Sequence, residues 1–467
     1  MTKHDFDTIV IGGGFAGVTA CRDLAEQGYS VLLLEARDRL GGRTWSEHKK
    51  IGGWEGTVEF GGQWVYPDQQ VNMMAEIERY GLTLKHSPAP VNYPTLRNGR
   101  HNPGPLPVPL EDVFDLERAV HQVISDSHRI ELGIPLDKQR LEDLDIPFSE
   151  YLDNLGVSDA ARAFVASFGN FFTGRYQDEV SALPPLQFIA QMGNSFIRAW
   201  GVIDEYLAEG TATLITAIAD DSGADIRLGT PVDRVEQSDS GVLVTTRSGE
   251  TFSAGTVVVA TPMACWKNIE FNPPLSAHKD AATRENHVAY GVKVWAQVRG
   301  ATPLPYTLPD PETSHGAALM FTQAEMEGDD QLMVGFFLQH PERESFGTDF
   351  QGVERFVQTL YPGAELIDYD IHPFVDEEWT GEGDWIAYKP GRISKSHSEL
   401  SKPEGRLHFA TADIAHTFLA WMDGAVEMGK KAAVDAQRLM TREMIESKVP
   451  ARAKASAAAS TSAQARA

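Results

Sequence analysis

The sequence predicts an α/β fold, and three features of its first 45 residues support that prediction. An apolar, β-branched run at 7–11 reads as a strand, and the segment GGGFAG at 12–17 follows it directly. A helical segment then leads into a second apolar strand at 30–34, which ends at Glu35. Strand, glycine turn, helix, strand and acid, with the acid about 20 residues after the turn, form the fingerprint of a Rossmann-type dinucleotide-binding unit.

The residue types in this unit have chemical reasons. Gly12 permits the tight turn, Gly14 lets the backbone approach a pyrophosphate, and Gly17 lets the helix pack closely against the strand. Phe15 and Ala16 begin the helix, whose free N–H groups and positive dipole end attract phosphate. A glycine turn alone is common between a strand and a helix, so the flanking strands and the acid make the dinucleotide interpretation specific.

A second glycine pair with arginines follows in the segment EARDRLGGR at 35–43. This segment resembles the E-x-x-x-R-x-G-G-R signature of the FAD-dependent, monoamine oxidase-like amine oxidase family, with matches at Glu35, Arg39 and 41–43. The resemblance implies a glutathione reductase-like FAD-binding domain with an inserted α+β substrate-binding domain. The cofactor contacts that it implies in this unit are Gly12, Gly14, Phe15, Ala16, Gly17, Glu35, Ala36, Arg37, Gly42 and Arg43.

Composition argues against several other functions. The 467 residues carry a net charge of −25, which is unsuited to nucleic acid, because its recognition needs clustered Lys and Arg. The acidity favours cationic small molecules and serves solubility equally well. Cys21 and Cys265 suggest neither a disulfide framework nor a metal site. No apolar run approaches the ~18 residues of a membrane span, and the first strand begins almost at once, so the sequence predicts a cytoplasmic protein.

The segment VEFGGQWV at 58–65 resembles the G-G-Q-W segment that passes the flavin ring in the family. It implies cofactor contacts from Gly61, Gly62, Gln63 and Trp64. L-amino acid oxidases of the same superfamily carry an arginine here that grips the substrate carboxylate. Gln63 and Trp64 in its place argue against an amino acid substrate. Trp64 fits either a substrate contact or a core aromatic residue.

A series of helical patterns occupies the stretch from 89 to 207. Apolar spacing predicts helices at 110–130, 147–155, 158–168 and 184–200. We expect this insertion to cap the substrate site. Asn170 follows the predicted helix end at Gly169 and is a candidate for substrate binding, although it fits a capping asparagine equally well.

Strand signals return after residue 225. A hairpin is predicted at 242–252, and the continuous apolar run at 256–262 predicts a separate buried parallel strand. In the family, this block returns the chain to the nucleotide domain. The resemblance therefore places Val232 beside the adenine and Thr261 close to the cofactor.

Alternation from 287 to 298 predicts a further strand, with Lys293 on the same face as Trp295 and Gln297. A lysine within an apolar strand is costly unless its ammonium finds partners or water. One interpretation is a lysine that snorkels from an edge strand. The family instead places a lysine on this strand, where it holds a water against flavin N5, so the resemblance implies a catalytic role for Lys293.

Two aromatic candidates lie near the end of the chain. The segment at 381–391 resembles the part of the family that presents an aromatic residue to the flavin, and Trp385 is the candidate. Covalent members carry a Cys-Tyr pair here. The chain has no cysteine after Cys265, so the sequence predicts noncovalent FAD.

The segment WMDGAVEMGKKAA at 421–433 resembles the closing helix of the family. It implies cofactor contacts from Asp413, Trp421 and Met422. Trp421 replaces a common tyrosine, and 411–413 replaces the usual glycine–acid arrangement.

The matches predict a discontinuous FAD-binding domain at 1–88, 208–286 and 390–446. The substrate-binding domain then takes 89–207 and 287–389. The segment 447–467 reads as a disordered tail, because it consists largely of Ala, Ser, Arg and Lys without apolar periodicity. The sequence does not decide whether the protein forms a homodimer.

The resemblance implies oxidation of an amine C–N bond to an imine or iminium by hydride transfer to flavin N5. The electrons then pass to O2, which gives H2O2, or to another electron acceptor. Lys293, Trp385 and Trp421 are the expected catalytic residues, and the two tryptophans are expected to cage the amine. The expected substrate contacts are Trp64, Asn170, Trp385 and Trp421. Two tryptophans in the cage, together with Gln63 and Trp64, resemble the sites of the bacterial nicotine-pathway oxidases. This resemblance favours a cyclic amine on an aromatic ring, such as 6-hydroxynicotine.

Other functions fit part of the pattern. A putrescine, polyamine or other monoamine oxidase is the first alternative. A carotenoid desaturase or protoporphyrinogen oxidase-like flavoenzyme is the second, but such substrates need a long apolar channel and leave Lys293 without a role. A prenyl-GTPase escort-like binding module shares the nucleotide fold without a flavin, and the colour of the purified protein distinguishes it.

Overall fold

The protein, as a computed structural model, is described over residues 4–97, 100–102, 106–201 and 203–448. It has the predicted α/β fold. The strands are β1 Phe6–Ile11, β2 Val31–Leu34, β3 Ser46–Ile51, β4 Trp54–Glu59, β5 Leu84–His86, β6 Thr95–Arg97, β7 Arg100–Asn102, β8 Glu205–Leu207, β9 Asp225–Arg227, β10 Val232–Ser238, β11 Gly241–Thr246, β12 Thr251–Val259, β13 Glu270–Asn272, β14 Gly291–Arg299, β15 Tyr306–Thr307, β16 Ala317–Glu325, β17 Asp330–Leu338, β18 Glu365–Ile371 and β19 Leu407–Phe409. The helices are α1 Phe15–Glu26, α2 Val71–Arg79, α3 Val113–Ser127, α4 Phe148–Asn154, α5 Asp159–Thr173, α6 Leu183–Gln191, α7 Phe196–Trp200, α8 Thr211–Ser222, α9 Ala277–Arg284, α10 Phe350–Leu360, α11 Ile393–Leu400 and α12 Met422–Lys448.

An eight-stranded sheet forms the nucleotide-binding half of the fold. Its order is β13-β10-β11-β12-β1-β2-β9, with β19 also paired to β12. In the centre, Ile9 of β1 lies between Leu32 and Val257 of two parallel neighbours. All three residues are fully buried, as expected for a parallel strand covered on both faces. The helices α8 and α12 pack against α1, so α1 and α12, which are far apart in the chain, are neighbours in the fold.

β12 differs from the prediction of two separate strands. It is one strand, Thr251–Val259, that changes partners along its length. Its first residues pair antiparallel with β11, and from Ala254 onward it runs parallel to β1. The hairpin and the buried strand are therefore two ends of one element, whose first three residues are exposed or half-buried and whose last four are buried.

A second sheet of five strands has the order β15-β16-β17-β14-β18. The strand that carries Lys293, β14, lies between β17 and β18 and is antiparallel to both. An edge-strand lysine is therefore the wrong interpretation. Lys293 lies within the sheet and is only 5% exposed.

The helical insertion departs from the predicted boundaries at two places. α5 continues through Gly169 to Thr173, and Gly174 ends it with φ +59°. A Cβ at Gly169 would lie 2.2 Å from the Phe148 ring, so this glycine serves close helix packing and not a helix end. The helix predicted at 184–200 is two helices, because residues 193 and 194 both adopt left-handed φ values.

The last helix is longer than predicted. α12 runs to Lys448, two residues into the segment predicted as a disordered tail, and the rest of that segment lies outside the described residues. The strands of the eight-stranded sheet all fall in the ranges predicted for the FAD-binding domain, and those of the five-stranded sheet in the ranges for the substrate-binding domain. The domain boundaries themselves stay a prediction. Within the described residues, no helix is both long and apolar enough to span a bilayer.

Candidate active site

A long cleft brings most of the predicted site residues together. It extends from the glycine turn after β1 to the wall formed by β14 and β17 and holds about 2070 Å³ free of protein atoms, including its opening to solvent. The predicted residues that line it are Gly12, Gly14, Phe15, Ala16, Glu35, Ala36, Arg37, Gly42, Arg43, Gly61, Gly62, Gln63, Trp64, Val232, Thr261, Lys293, Trp385, Trp421 and Met422. Segments that are far apart in the chain thus share one surface.

The start of α1 lies at one end of the cleft. Gly12 has φ +104°, and a Cβ at Gly17 would lie 1.9 Å from the Gly12 carbonyl oxygen, so both positions require glycine. The Glu35 carboxylate accepts hydrogen bonds from the Gly13 N–H at 2.6 Å and the Arg37 N–H at 2.9 Å, which fixes the turn. The first turn of α1 offers N–H groups without helical partners and a positive dipole end, an arrangement suited to phosphate.

Asp413, which was predicted as a cofactor contact, is buried and is not among the described residues that line the cleft. Its carboxylate accepts from Arg43 Nη2 at 2.6 Å and from the Met263 N–H at 2.8 Å. The Tyr388 hydroxyl donates to its carbonyl oxygen at 2.7 Å. Asp413 therefore positions Arg43, which lines the cleft, and Thr411 lies on the wall in its stead.

Two buried polar atoms on the cleft wall point to a ligand. Within the described part of the chain, Thr261 Oγ1 and Gln63 Nε2 have no hydrogen-bond partner. Buried polar groups are nearly always hydrogen-bonded, because an unpaired one costs free energy. These two atoms therefore mark places where ligand atoms or water complete the hydrogen bonding.

Lys293 lies on the wall of the cleft that β14 forms. Its Nζ donates to Gln63 Oε1 at 2.6 Å and to the Gly61 carbonyl oxygen at 3.2 Å. The same atom lies 4.5 Å from the centre of the Trp64 ring. Burial lowers the pKa of Lys293, and the negative charge of Glu59 opposes this shift.

Glu59 is a buried counter-charge that sequence reasoning missed. Its carboxylate accepts from the Thr211 N–H at 2.7 Å, the Thr211 hydroxyl at 2.8 Å and the Ser46 hydroxyl at 2.9 Å. Burial raises the pKa of Glu59, while these hydrogen bonds and the charge of Lys293 oppose the rise. Its position two residues before the Gly61–Gly62 pair was the available signal.

Aromatic rings enclose the end of the cleft near Lys293. Trp385 and Trp421 meet edge to face, with ring centres 5.0 Å apart and planes at 90°. Tyr66, which also lines the cleft, contacts Trp421 edge-on at 5.3 Å, and Phe188 stacks on Trp421 at 5.4 Å. The two predicted cage residues therefore form one corner, supported from behind. Tyr66 was missed because it follows the recognised G-G-Q-W segment.

Asn170, which was predicted as a substrate contact, is not among the described residues that line the cleft. It is fully buried in α5, and within the described residues both its amide atoms lack a partner. Its neighbours Phe171 and Phe172 line the cleft instead, and Phe171 contacts Phe336 edge-on at 5.4 Å. The helix continues through this segment, so successive side chains point in different directions. Gly17, which was also predicted as a cofactor contact, packs against the Gly12 carbonyl and is not among the described residues that line the cleft.

Comparison with known proteins identifies the family. The family model of flavin-containing amine oxidoreductases matches residues 15–437. The chain belongs to this family. It is 33% identical over 435 residues to (S)-6-hydroxynicotine oxidase of Paenarthrobacter nicotinovorans, an alignment covering 91% of this chain and 98% of that protein. It is also 32% identical to nicotine dehydrogenase of Pseudomonas putida, with 94% and 89% covered.

Solved structures of two oxidases have a similar fold. A putrescine oxidase bound to putrescine has a TM-score of 0.79 at 24% identity and covers 92% of this chain and 98% of its own. A cyclohexylamine oxidase from Brevibacterium oxydans has a TM-score of 0.77 at 22% identity, with 93% and 100% covered. At these identities the likeness establishes the fold alone. The family match and the sequence relatives, in contrast, show that the amine oxidoreductase is a flavoenzyme with FAD as its cofactor.

The cleft fits FAD along its length. At the α1 end, Gly12 and Gly14 leave the backbone bare, and a Cβ at Gly14 would have only the Gly41 carbonyl oxygen, at 3.8 Å, as a neighbour. Arg43 supplies positive charge, and Thr261 Oγ1 supplies an unpaired hydrogen-bonding group. The bare glycine turn and the Arg43 charge suit the phosphates of such a cofactor, and the aromatic rings beside Lys293 suit a flat redox-active ring.

We expect FAD to be released intact when the amine oxidoreductase is denatured with acid. Cys265 lines the cleft, but its Sγ lies 3.3 Å from the Trp379 carbonyl oxygen, and burial raises the pKa of this thiol to about 12. A protonated thiol is a poor nucleophile. Flavin absorbance in the supernatant after precipitation measures the release, with Cys265→Ser as the matched control. Flavin retained in the wild-type pellet and released from Cys265→Ser would show a covalent bond.

Proposed function

We propose that the enzyme oxidises a cyclic secondary or tertiary amine carried on an aromatic ring, with 6-hydroxynicotine as the model substrate. The product is the corresponding imine or iminium, and O2 receives the electrons to give H2O2. The observation that carries this proposal is the aromatic enclosure beside Lys293, which offers flat apolar faces on several sides. The relatives named for 6-hydroxynicotine and nicotine support the same substrate class.

The aromatic walls suit a flat cation. Trp385 and Trp421 stand at right angles, so one ring can stack on a substrate ring while the other presents its face to an ammonium group. Phe171 and Phe336 form an opposing apolar wall. A substrate that combines a planar ring with a single amine uses both kinds of contact.

A linear diamine fits this enclosure less well. Its second ammonium would need a carboxylate partner, because an unpaired charge in an apolar site is costly. Among the described lining residues, the carboxylates are Glu35, which is hydrogen-bonded within the glycine turn, and Asp384, which is held by the Gly291 N–H. The rings of Tyr66, Phe171 and Phe336 offer no negative charge to a second ammonium.

The protein's own residues orient the amine and manage its proton. When bound, FAD supplies the two-electron acceptor that takes a hydride from the carbon of the C–N bond. The tryptophan corner holds that carbon in place and excludes water. Lys293 is fixed by Gln63 and Gly61 and can hold a water molecule or exchange a proton, because burial lowers its pKa.

Hydrogen peroxide formation with four amines tests this proposal. Purified enzyme is incubated in air with 6-hydroxynicotine, nicotine, putrescine or tyramine, and peroxide is measured with a coupled peroxidase. We expect the two cyclic amines to give the higher kcat/KM, and catalase to abolish the signal. Higher values for putrescine or tyramine would instead support the linear monoamine or polyamine oxidase alternative.

A further inference from the structure

Asp384 is an acidic residue of the cleft that the proposed reaction does not use. It precedes Trp385, lines the cleft and is partly exposed toward it. The segment around it is anchored to the residues before β14, since the Ala289 N–H donates to the Trp385 carbonyl oxygen at 3.0 Å and the Ala387 N–H to the His287 carbonyl oxygen at 2.8 Å. Asp384 therefore has a fixed place beside the strand that carries Lys293.

The carboxyl group itself is tightly seated. Its Oδ1 accepts from the Gly291 N–H at 3.0 Å. A Cβ at Gly291 would lie 2.4 Å from Asp384 Oδ2, so only glycine allows the carboxyl to occupy this position. Residues 291 and 293 are two apart in β14 and share a face of the strand, so the carboxyl lies on the Lys293 side of the sheet.

The charged groups around Asp384 come from several elements. Arg43 is the cation whose charge acts on it, but Arg43 is already paired with Asp413. Lys293 is bonded to Gln63 and Gly61. Burial raises the pKa of Asp384 to about 7, while the Gly291 N–H and the Arg43 charge oppose the rise. The carboxyl is thus neutral below about pH 7 and negative above it.

We propose that Asp384 tunes the reduction potential of the bound flavin, because it places an ionisable carboxyl in the wall of the cofactor cleft. Accepting a hydride adds negative charge to the flavin. An ionised carboxylate nearby disfavours that addition, whereas a neutral carboxylic acid does not. Reduction of the flavin therefore raises the affinity of Asp384 for a proton. This inference rests on the FAD site and not on the identity of the amine.

Spectroelectrochemical titration of the holoenzyme tests the proposal. The flavin midpoint potential is measured at pH 6.0 and pH 8.5 for the wild type, Asp384→Asn and Glu382→Gln. At pH 8.5 we expect Asp384→Asn to have the more positive potential, with a reduced-to-oxidised flavin ratio about tenfold above that of the wild type at the same applied potential. At pH 6.0 the two should coincide, because the wild-type carboxyl is then neutral.

Glu382→Gln is the matched control. Glu382 is exposed and lies two residues before Asp384, so this variant also removes one negative charge, but from the protein surface. It should follow the wild type at both pH values. Asp384→Ala is a second neutral variant and should have the same flavin midpoint potential as Asp384→Asn. Agreement between the two shows that the shift comes from the lost charge and not from one particular substitution. Equal potentials for the wild type and either neutral variant at pH 8.5, or an equal shift in Glu382→Gln, would overturn the proposal.

Discussion

Replacing Lys293 with methionine is expected to lower kcat/KM for the preferred amine about 100-fold while FAD stays bound. Methionine fills most of the same volume but removes the amine that Gln63 and Gly61 hold in place. Rapid mixing separates the two half-reactions, because anaerobic mixing with amine follows flavin reduction and mixing of the reduced enzyme with O2 follows reoxidation. We expect loss in at least one of them.

Lys50→Met is the matched control for this variant, because Lys50 is exposed on β3 and remote from the lining of the cleft. It should leave both half-reactions unchanged. Lys293→Met should also lower the melting temperature, because the buried Glu59 loses its counter-charge. If Lys293→Met keeps FAD and retains wild-type rates in both half-reactions, Lys293 has no catalytic role.

Replacing Trp421 with alanine is expected to lower kcat/KM about 30-fold, which corresponds to about 2 kcal/mol for a desolvated cation–π contact. The change removes the ring that contacts Trp385, Tyr66 and Phe188. FAD content should stay near that of the wild type, because the phosphate-bearing half is held at the α1 end. Steady-state kinetics with the amine and flavin absorbance per protein measure the two quantities.

Two further variants separate cage formation from general packing. Trp421→Phe retains an aromatic face and should recover much of the activity lost in Trp421→Ala. Trp54→Ala is the matched control, because Trp54 is a partly buried tryptophan that stacks on Trp295 and is not part of the described cleft lining. Equal losses in Trp54→Ala and Trp421→Ala would indicate a packing effect and remove Trp421 from the site.

The sequence predicted the nucleotide-binding end well, because its constraints are local. A turn that needs positive φ at Gly12 and no side chain at Gly17 has few solutions, and both show in the residue types. Lys293 and Trp421 were predicted through family motifs. The structure then places them, more than a hundred residues apart in the chain, along one cleft.

The helical insertion was harder to predict, because tertiary packing determined its boundaries. Gly169 resembles a helix end in sequence, yet it lies within α5 so that Phe148 can approach. Asn170 consequently lies inside the helix and away from the cleft, whereas Phe171 and Phe172 reach it. Asp384 carries no signal in sequence, because its setting depends on the Gly291 backbone of a distant strand.

In the proposed reaction, the aromatic enclosure beside Lys293 delivers a cyclic amine to FAD. Anaerobic rapid mixing of the purified enzyme with 6-hydroxynicotine tests it most directly, with putrescine as the linear comparison. We predict that 6-hydroxynicotine abolishes the visible absorbance of oxidised flavin in one turnover, at a rate that saturates with amine concentration. Full bleaching by putrescine with none by 6-hydroxynicotine would contradict the claim.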